Sequence, residues 1–169
     1  MADLSSPFSS ALRAEATALL AACRAAGVKL VTAESCTGGL IAALLTEIPG
    51  SSDVVERGMV VYSNEAKAEQ LGVPSDLIAA HGAVSEPVAR AMAEGALAHA
   101  HAALSIAVTG IAGPGGGSTE KPVGLVHFAS ARSGAPTLHE RHVFPGDRAA
   151  IRMASLASGL RLMTRQLGG

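Results

Sequence analysis

Short apolar runs alternate with helical patterns along most of this chain, and this alternation restricts the possible folds more than any other feature. Apolar residues recur at three- and four-residue steps from about residue 9 to residue 26, which predicts an amphipathic helix that Gly27 ends. The run "VKLVTA" then reads as a buried strand, and "LIAALLTEI" resumes the helical pattern. Helices before, between and after strands predict an α/β protein, a three-layer α/β/α sandwich.

Two further segments continue this order. The β-branched run "GMVVYSN" predicts a strand, and "NEAKAEQLG" has the composition of a short helix with Asn64 as its N-cap. Ser85 can cap the long helical stretch "EPVARAMAEGALAHAHA", in which Pro87 lies in the tolerated first turn.

The last third of the chain predicts a mixed sheet. "LSIAVTG" is strongly strand-like, and a glycine-rich loop follows it. "LVHFASA" and "LHERHVF" are separated by a short turn-forming segment, which predicts a hairpin and hence antiparallel pairing. Asp147 can begin a closing helix. The sheet is therefore predicted to contain both parallel and antiparallel strands.

Length and charge narrow the class of protein. The chain has 169 residues without an obvious spacer, so we predict one domain over residues 1–169. Thirteen basic and fourteen acidic residues give a net charge of -1, and the basic ones are scattered, which argues against nucleic acid or a membrane as a partner. No signal peptide or apolar span is visible, and Cys23 and Cys36 suit a reducing compartment. We expect a cytoplasmic protein.

Two turns are candidates for a ligand site, because ligands of α/β sheets lie beyond the carboxyl ends of strands. One is "ESCTGG" and the other runs from Thr109 to Lys121. Glycines allow backbone amides to approach an anion, so either turn could hold a phosphate or an oxyanion. Neither has the spacing of a P-loop or of a dinucleotide-binding fingerprint.

The first turn carries three potential nucleophiles, Ser35, Cys36 and Thr37. Ser35 or Thr37 could simply cap the following helix. Alternatively one of the three attacks a substrate, and a helix N-terminus would favour Cys36 by lowering the pKa of its thiol. A hydroxyl would need a nearby base. The residues of the turn leave these alternatives open.

The sequence offers few bases. None of the six histidines stands in a catalytic or metal-binding pattern, and no cluster has metal-ligand spacing, so we predict no metal. Lys67 lies in a weakly charged neighbourhood, where desolvation would lower its pKa and let it accept a proton. Tyr62, the only tyrosine, could relay that proton. The alternative for Lys67 is an ordinary solvent-facing position on a helix, and the alternative for Tyr62 is a half-buried position on a strand.

Five blocks in order carry a resemblance to a known family. They are "TAESCTGG", "GMVVYSNEAKAEQLGV", "GAVSEPVARAMAEGA", "AVTGIAGPGGGSTEKPVG" and "FPGDRAAIR". They resemble the CinA C-terminal domain family, the nicotinamide-nucleotide amidohydrolases. The resemblance implies deamidation of nicotinamide mononucleotide in pyridine-nucleotide salvage, with Ser35 as nucleophile, Lys67 as the acceptor of the serine proton with help from Tyr62, and no cofactor. Some relatives carry a further N-terminal domain, for which this chain has no room.

The implied chemistry assigns supporting roles as well. Amides near Cys36, Thr37 and Gly38 would hold the oxyanion, with Thr37 capping the helix and Cys36 packing. Candidates for binding the substrate phosphate are Thr109, Gly110, Gly113, Gly115, Gly116 and Arg148. The family resemblance also implies a homo-oligomer. Two alternatives remain: a non-catalytic module that binds a nucleotide or phosphometabolite, and an amidase with Cys36 as its nucleophile.

Overall fold

The structure of the protein, a computed structural model, describes residues 6–168. Within this range the chain forms six α-helices and five β-strands. In chain order they are α1 (Ser10–Ala26), β1 (Leu30–Glu34), α2 (Leu40–Glu47), β2 (Val55–Val60), α3 (Asn64–Leu71), α4 (Ser75–His81), α5 (Glu86–Ala98), β3 (Leu104–Gly110), β4 (Leu125–Arg132), β5 (Ala135–Val143) and α6 (Arg148–Gly168), with a 3-10 turn at Ser51–Asp53 between α2 and β2.

The five strands form one mixed sheet in the order β2-β1-β3-β4-β5. Strand β1 pairs in parallel with both β2 and β3, while β4 pairs antiparallel with β3 and with β5. The predicted hairpin and the mixed sheet are confirmed. Because β1, β2 and β3 run the same way, their carboxyl ends meet at one edge, where Glu34 is in register with Val60 and Val108.

Helices cover both faces of the sheet, which confirms the predicted three-layer α/β/α sandwich. Helices α1, α2 and α6 bury aliphatic side chains against one face, with Leu30 and Ile106 among the strand residues that meet them. Helices α3, α4 and α5 cover the other face, where Val31 and Ala107 point. Adjacent strand residues therefore enter opposite layers, as the pleat of a strand requires.

Most elements follow the sequence signals, but several boundaries and caps differ from the prediction. Ser85 does not cap α5 through its side chain, because its hydroxyl donates to the Gly82 carbonyl at 2.8 Å, and β5 begins at Ala135, before the predicted run. Ser63, not Asn64, caps α3, and its hydroxyl accepts from the amide of Ala66 at 3.0 Å. Helix α5 ends at Ala98 instead of continuing to residue 102. Strand β2 begins and ends earlier than predicted, and α4 was not predicted at all. None of the described helices is both long and apolar enough to cross a membrane.

Candidate active site

A cavity of about 300 Å³ opens at the sheet edge where the three parallel strands end. Each strand delivers one group of candidate residues to it: β1 leads into Ser35, β2 leads into Tyr62 and Lys67, and β3 ends at Gly110. The lining residues are Ser35, Cys36, Tyr62, Asn64, Lys67, Ala83, Val84, Thr109, Gly110, Ile111, Ala112, Gly113, Gly115, Gly116 and Arg148. The two glycine-rich turns singled out in the sequence thus share one cavity.

The segment from Ser35 to Gly38 is a tight turn between β1 and α2. The amide of Ser35 donates to the Val108 carbonyl at 2.9 Å, and the amide of Gly38 donates back to the Ser35 carbonyl at 3.0 Å. Gly38 and Gly39 have φ values of 58° and 97°. Residues other than glycine rarely adopt this left-handed backbone conformation, so both glycines are needed for the turn that follows Ser35.

Glu34, which the sequence analysis missed, occupies the N-terminus of α2. Its carboxylate is fully buried and accepts from the amides of Gly39, Ile41 and Ala42 at 3.1, 3.1 and 2.9 Å. A negative charge at this position is stabilised by the helix dipole and by three charge-assisted hydrogen bonds. The only sequence signal for it is an acidic residue at the end of an otherwise apolar strand.

Glu34 therefore caps α2, a role that the sequence analysis predicted for Thr37. The Thr37 hydroxyl is buried and has no hydrogen-bond partner within residues 6–168, so the prediction that it caps α2 is wrong. Neither Thr37 nor Gly38 is among the residues that line the cavity, and the Gly38 amide is already taken by Ser35. In the described part of the chain, no backbone carbonyl and no side chain of another residue accepts from the amides of Cys36 and Thr37, and the Cys36 amide contacts its own thiol.

Lys67 reaches Ser35 from helix α3. Its Nζ lies 3.2 Å from the Ser35 Oγ, and it also contacts the carbonyls of Val61, Tyr62 and Ser63 at 3.0, 3.3 and 3.4 Å. The side chain is 1% exposed, and no ion pair of residues 6–168 includes it. Burial lowers the pKa of this amine. The ordinary surface role considered for Lys67 is excluded.

Cys36 lies in the same turn but has the opposite electrostatic setting from the one predicted. Burial raises the pKa of its thiol to about 11, and the nearby Glu34 carboxylate contributes in the same direction. The amides that would have lowered the pKa belong to the first turn of α2, and Glu34 occupies them. The expectation that the helix N-terminus activates Cys36 is therefore wrong.

Tyr62 and Arg148 form part of the cavity rim. The Tyr62 side chain is 61% exposed, and its hydroxyl accepts from the Arg148 guanidinium at 3.1 Å. Arg148, the first residue of α6, also donates to the Gly113 carbonyl at 2.8 Å. It is the backbone carbonyl of Tyr62, not its phenol, that faces Lys67. A relay through the phenol stays a prediction.

The end of β3 and the loop that follows it form another part of the cavity wall. Thr109 is buried, and its hydroxyl donates to the Ala83 carbonyl at 2.9 Å. Gly110 has no room for a side chain, because a Cβ there would lie 2.7 Å from a methyl group of Val126. Gly113, Gly115 and Gly116 also line the cavity, and Gly113 and Gly116 have positive φ values. The predicted phosphate-binding residues thus lie together around one cavity.

A second arginine, Arg152, contacts the Ser35 turn from α6. Its Nε donates to the Cys36 carbonyl at 3.1 Å and its Nη2 donates to the Thr37 carbonyl at 3.0 Å. The sequence analysis did not select this residue, although it closes the last of the five family blocks.

Histidine side chains do not line this cavity in the described part of the chain. Residues 6–168 also contain no group of three or more His, Cys, Asp or Glu side chains that could hold a metal ion. Lys67 is consequently the only base among the described side chains within hydrogen-bond reach of the Ser35 hydroxyl.

Comparison with known sequences identifies one family. Residues 12–167 match the family described as CinA C-terminal domain. A CinA-like protein of Mycolicibacterium paratuberculosis is 55% identical over 150 residues, which are 84% of this chain and 34% of that protein. The chain spans about a third of the length of such relatives. A protein of Escherichia coli strain K12 named nicotinamide-nucleotide amidohydrolase PncC is 50% identical over 145 residues, covering 86% of this chain and 88% of that one.

Solved structures agree in fold. The competence/damage inducible protein CihA from Agrobacterium tumefaciens superimposes with a TM-score of 0.93 at 45% identity, over 97% of this chain and 99% of that chain. The competence damage-inducible protein A from Klebsiella pneumoniae superimposes with a TM-score of 0.89 at 36% identity, over 93% of this chain and 97% of that one.

Proposed function

The chain belongs to the CinA C-terminal domain family, and from this premise we propose that it hydrolyses the carboxamide of nicotinamide mononucleotide, which yields nicotinic acid mononucleotide and ammonia. The name of the 50% identical Escherichia coli relative supports the reaction class and the substrate. The observation that carries the proposal for this chain is the 3.2 Å contact between the buried Lys67 amine and the Ser35 hydroxyl.

The first half of the reaction forms an ester on Ser35. A neutral Lys67 amine accepts the serine proton through its lone pair while its two N–H groups donate to the backbone carbonyls beside it. The serine oxygen attacks the amide carbon, and a tetrahedral oxyanion forms. As the C–N bond breaks, the Lys67 ammonium returns the proton to the departing nitrogen, so ammonia leaves and an acyl-serine remains.

The second half regenerates the enzyme. Lys67 takes a proton from water as that water attacks the acyl-serine; the ester C–O bond then breaks, Lys67 returns the proton to the Ser35 oxygen, and the carboxylic acid leaves. Neither half of the proposed reaction uses a metal or an organic cofactor. The burial of Lys67 supports this role, because a lowered pKa leaves more of the amine neutral at a given pH.

The backbone and the cavity wall supply the remaining functions. The amide of Cys36 is the proposed oxyanion donor, because Cys36 lines the cavity, whereas Thr37 is fully buried and the Gly38 amide donates to the Ser35 carbonyl. For the substrate phosphate we propose the loop of Thr109, Gly110, Gly113, Gly115 and Gly116 together with Arg148. Tyr62 stays a proposed proton relay or substrate contact at the rim.

Release of ammonia from nicotinamide mononucleotide by the purified protein tests the proposal. Wild-type protein should release one ammonia per nicotinic acid mononucleotide formed, and Ser35→Ala and Lys67→Ala should each lose at least about a hundredfold in kcat. Substrate affinity of Lys67→Ala should stay within about tenfold, since the amine acts on the serine. Lys29→Ala, which removes an exposed lysine, is the matched control and should keep wild-type activity.

The two alternatives give different results in the same assay. Binding of the nucleotide without ammonia release would establish a non-catalytic binding module instead. Loss of activity in Cys36→Ala with full activity in Ser35→Ala would assign the attack to the thiol, against its raised pKa. Pyridine-nucleotide salvage, a cytoplasmic location and a homo-oligomer belong to the same proposal, and light scattering on the purified protein tests the last of these.

A further inference from the structure

We propose that the cavity binds the acid product more tightly than the amide substrate, with the product carboxylate on the Lys67 amine, so that the product inhibits its own formation. The inference rests on the proposed function and concerns the regulation of the same site. The ligand class is a nucleotide that carries both a phosphate and a carboxylate. The charges that line the cavity and the surroundings of Lys67 support it.

The cavity wall carries positive charge without negative charge. Lys67 and Arg148 are among the lining residues, and no Asp or Glu of the described chain is. Arg148 is exposed at the rim, where it contacts the Tyr62 hydroxyl. Lys67 is buried beside Ser35. A ligand with one anionic group for the rim and a second for the buried amine complements both cations.

Lys67 has hydrogen-bond acceptors but lacks a counter-ion. Its amine contacts the Ser35 hydroxyl and three backbone carbonyls, and no ion pair within residues 6–168 includes it. The carbonyls accept from its N–H groups but carry no full negative charge, and burial lowers the pKa of the amine. An opposite charge beside an amine favours the ammonium, so a ligand carboxylate at this position would be bound as an ion pair.

The titratable groups near Lys67 leave the counter-ion role to a ligand. Burial raises the pKa of the Cys36 thiol to about 11, so the thiol is neutral in the neutral pH range. The Tyr62 phenol contacts Arg148 at the rim. The Glu34 carboxylate is held by three amides of α2 and does not line the cavity. Helix α3 meets α4 and α5 through buried apolar side chains.

The proposed reaction forms the carboxylate next to this amine. When Lys67 takes a proton from the attacking water, the water oxygen lies within hydrogen-bond distance of its Nζ, and that oxygen becomes a carboxyl oxygen of the product. After Lys67 has returned the proton to Ser35, its neutral amine can accept the proton of the carboxylic acid, because a carboxylic acid is ordinarily the stronger acid. The complex then holds an ammonium and a carboxylate with no net gain or loss of protons.

Nucleotide binding to Ser35→Ala, which cannot form the acyl-serine, tests the inference without turnover. Isothermal titration calorimetry should give nicotinic acid mononucleotide a Kd at least about tenfold lower than that of nicotinamide mononucleotide, because a charge-assisted hydrogen bond is added. Adding Lys67→Met should abolish this preference, and adding Lys29→Met, at an exposed lysine, should preserve it. Equal affinities in Ser35→Ala overturn the inference, and so does a preference that survives Lys67→Met.

Proton uptake identifies the amine as the group that binds the carboxylate. A bound carboxylate raises the pKa of Lys67, so binding of the acid takes a proton from the buffer wherever the free enzyme has a neutral amine. Titrations from about pH 7 to about pH 10 in buffers of different ionisation enthalpy should show this uptake for the acid and not for the amide. They need only Ser35→Ala, so they also cover the case in which Lys67→Met does not fold. Equal proton uptake for both nucleotides throughout that range overturns the inference.

Arg148→Ala in the Ser35→Ala background distinguishes the two cations. It should weaken both nucleotides by a similar factor, because both carry the phosphate. Loss of the acid preference in this variant would place the carboxylate at the rim and overturn the inference.

Ammonia release by the wild-type protein separates the inference from the proposed function. Added nicotinic acid mononucleotide should inhibit release competitively, because it occupies the substrate cavity. Failure of the proposed function appears as no ammonia release while Ser35→Ala still prefers the acid. Failure of the inference appears as ammonia release with equal affinities for the two nucleotides.

Discussion

Lys67 is the residue on which the site depends most. A buried amine loses hydration, and no ion pair of the described residues includes Lys67, so its pKa lies below the usual value of a lysine. Three backbone carbonyls still satisfy its N–H groups, which makes a buried position tolerable. A lysine with hydrogen bonds but without a counter-ion suits a base that must give and take one proton in each half-reaction.

The direction of this pKa shift predicts how the rate depends on pH. Below its pKa Lys67 is an ammonium and has no lone pair for the serine proton, so kcat/KM should rise with pH and level off at a pH below the usual pKa of lysine. Initial rates of ammonia release from about pH 6 to about pH 10 measure this. A rate that falls as pH rises across that range would contradict a lysine base.

At the scale of elements, the Ser35 turn owes its shape to two helices that it does not belong to. Helix α2 provides amides for Glu34, and α6 provides Arg152, which donates to the carbonyls of Cys36 and Thr37. Helix α3 brings Lys67 and packs against α5. The proposed site therefore depends on how the helices around it are held, and two substitutions can test this.

The first substitution addresses the cap of α2. Glu34→Gln keeps one acceptor oxygen but removes the charge, and should lower the free energy of unfolding by about 1 to 3 kcal/mol because buried charged hydrogen bonds are lost. Urea denaturation of the variant beside Glu47→Gln, an exposed residue at the other end of α2, measures the difference. Equal stability of the two variants would mean that the Glu34 carboxylate adds nothing to α2.

The second substitution addresses the contact between α3 and α5. A Cβ at Gly95 would overlap the carbonyl of Leu71, the last residue of α3. Gly95→Ala should force α3 and Lys67 away from α5, lowering kcat by about tenfold or more while destabilising the protein by about 1 to 3 kcal/mol.

Gly168→Ala is the control for this substitution, since nothing lies within 4 Å of a Cβ at that helical position. Ammonia release and thermal unfolding should both match wild type in the control. Wild-type activity in Gly95→Ala would show that the position of Lys67 tolerates displacement of α3.

At the scale of the whole molecule, both helical layers pack on one sheet. The buried clusters on the two faces draw on the same strands, because neighbouring residues such as Ile106 and Ala107 enter opposite layers. Loss of either layer would expose the other side of the same strands to water. The site also draws on both layers, with Lys67 from one and Arg152 from the other.

This arrangement predicts one cooperative unfolding transition, as expected if the chain is one domain. Far-UV circular dichroism and the fluorescence of Tyr62, the only tyrosine, should give coincident urea transitions. Tyr62 lies at the cavity rim and the dichroism reports all helices, so the two probes sample different regions. Separate midpoints would show that the layers unfold independently.

The sequence by itself determined the fold class and most of the elements, because these depend on local periodicity and on turn residues. Apolar repeats gave α1, the run "LSIAVTG" gave β3, and Asp147, whose carboxylate accepts from the Ala150 amide, gave the start of α6. The resemblance of the sequence motifs to a known family selected Ser35 and Lys67 as partners. The nearness of Asn64 and Ser63, both good caps, explains why one was mistaken for the other.

Only the tertiary structure decided what surrounds Ser35. Glu34 and Arg152 carry no local signal, because a charged residue acquires its role from the amides or carbonyls that packing brings to it. The same reason explains the errors at Thr37 and Cys36: once Glu34 occupies the amides of α2, the helix end has none left to be capped by a hydroxyl or to stabilise a thiolate. Electrostatic surroundings are a property of the fold, whereas periodicity is a property of the chain.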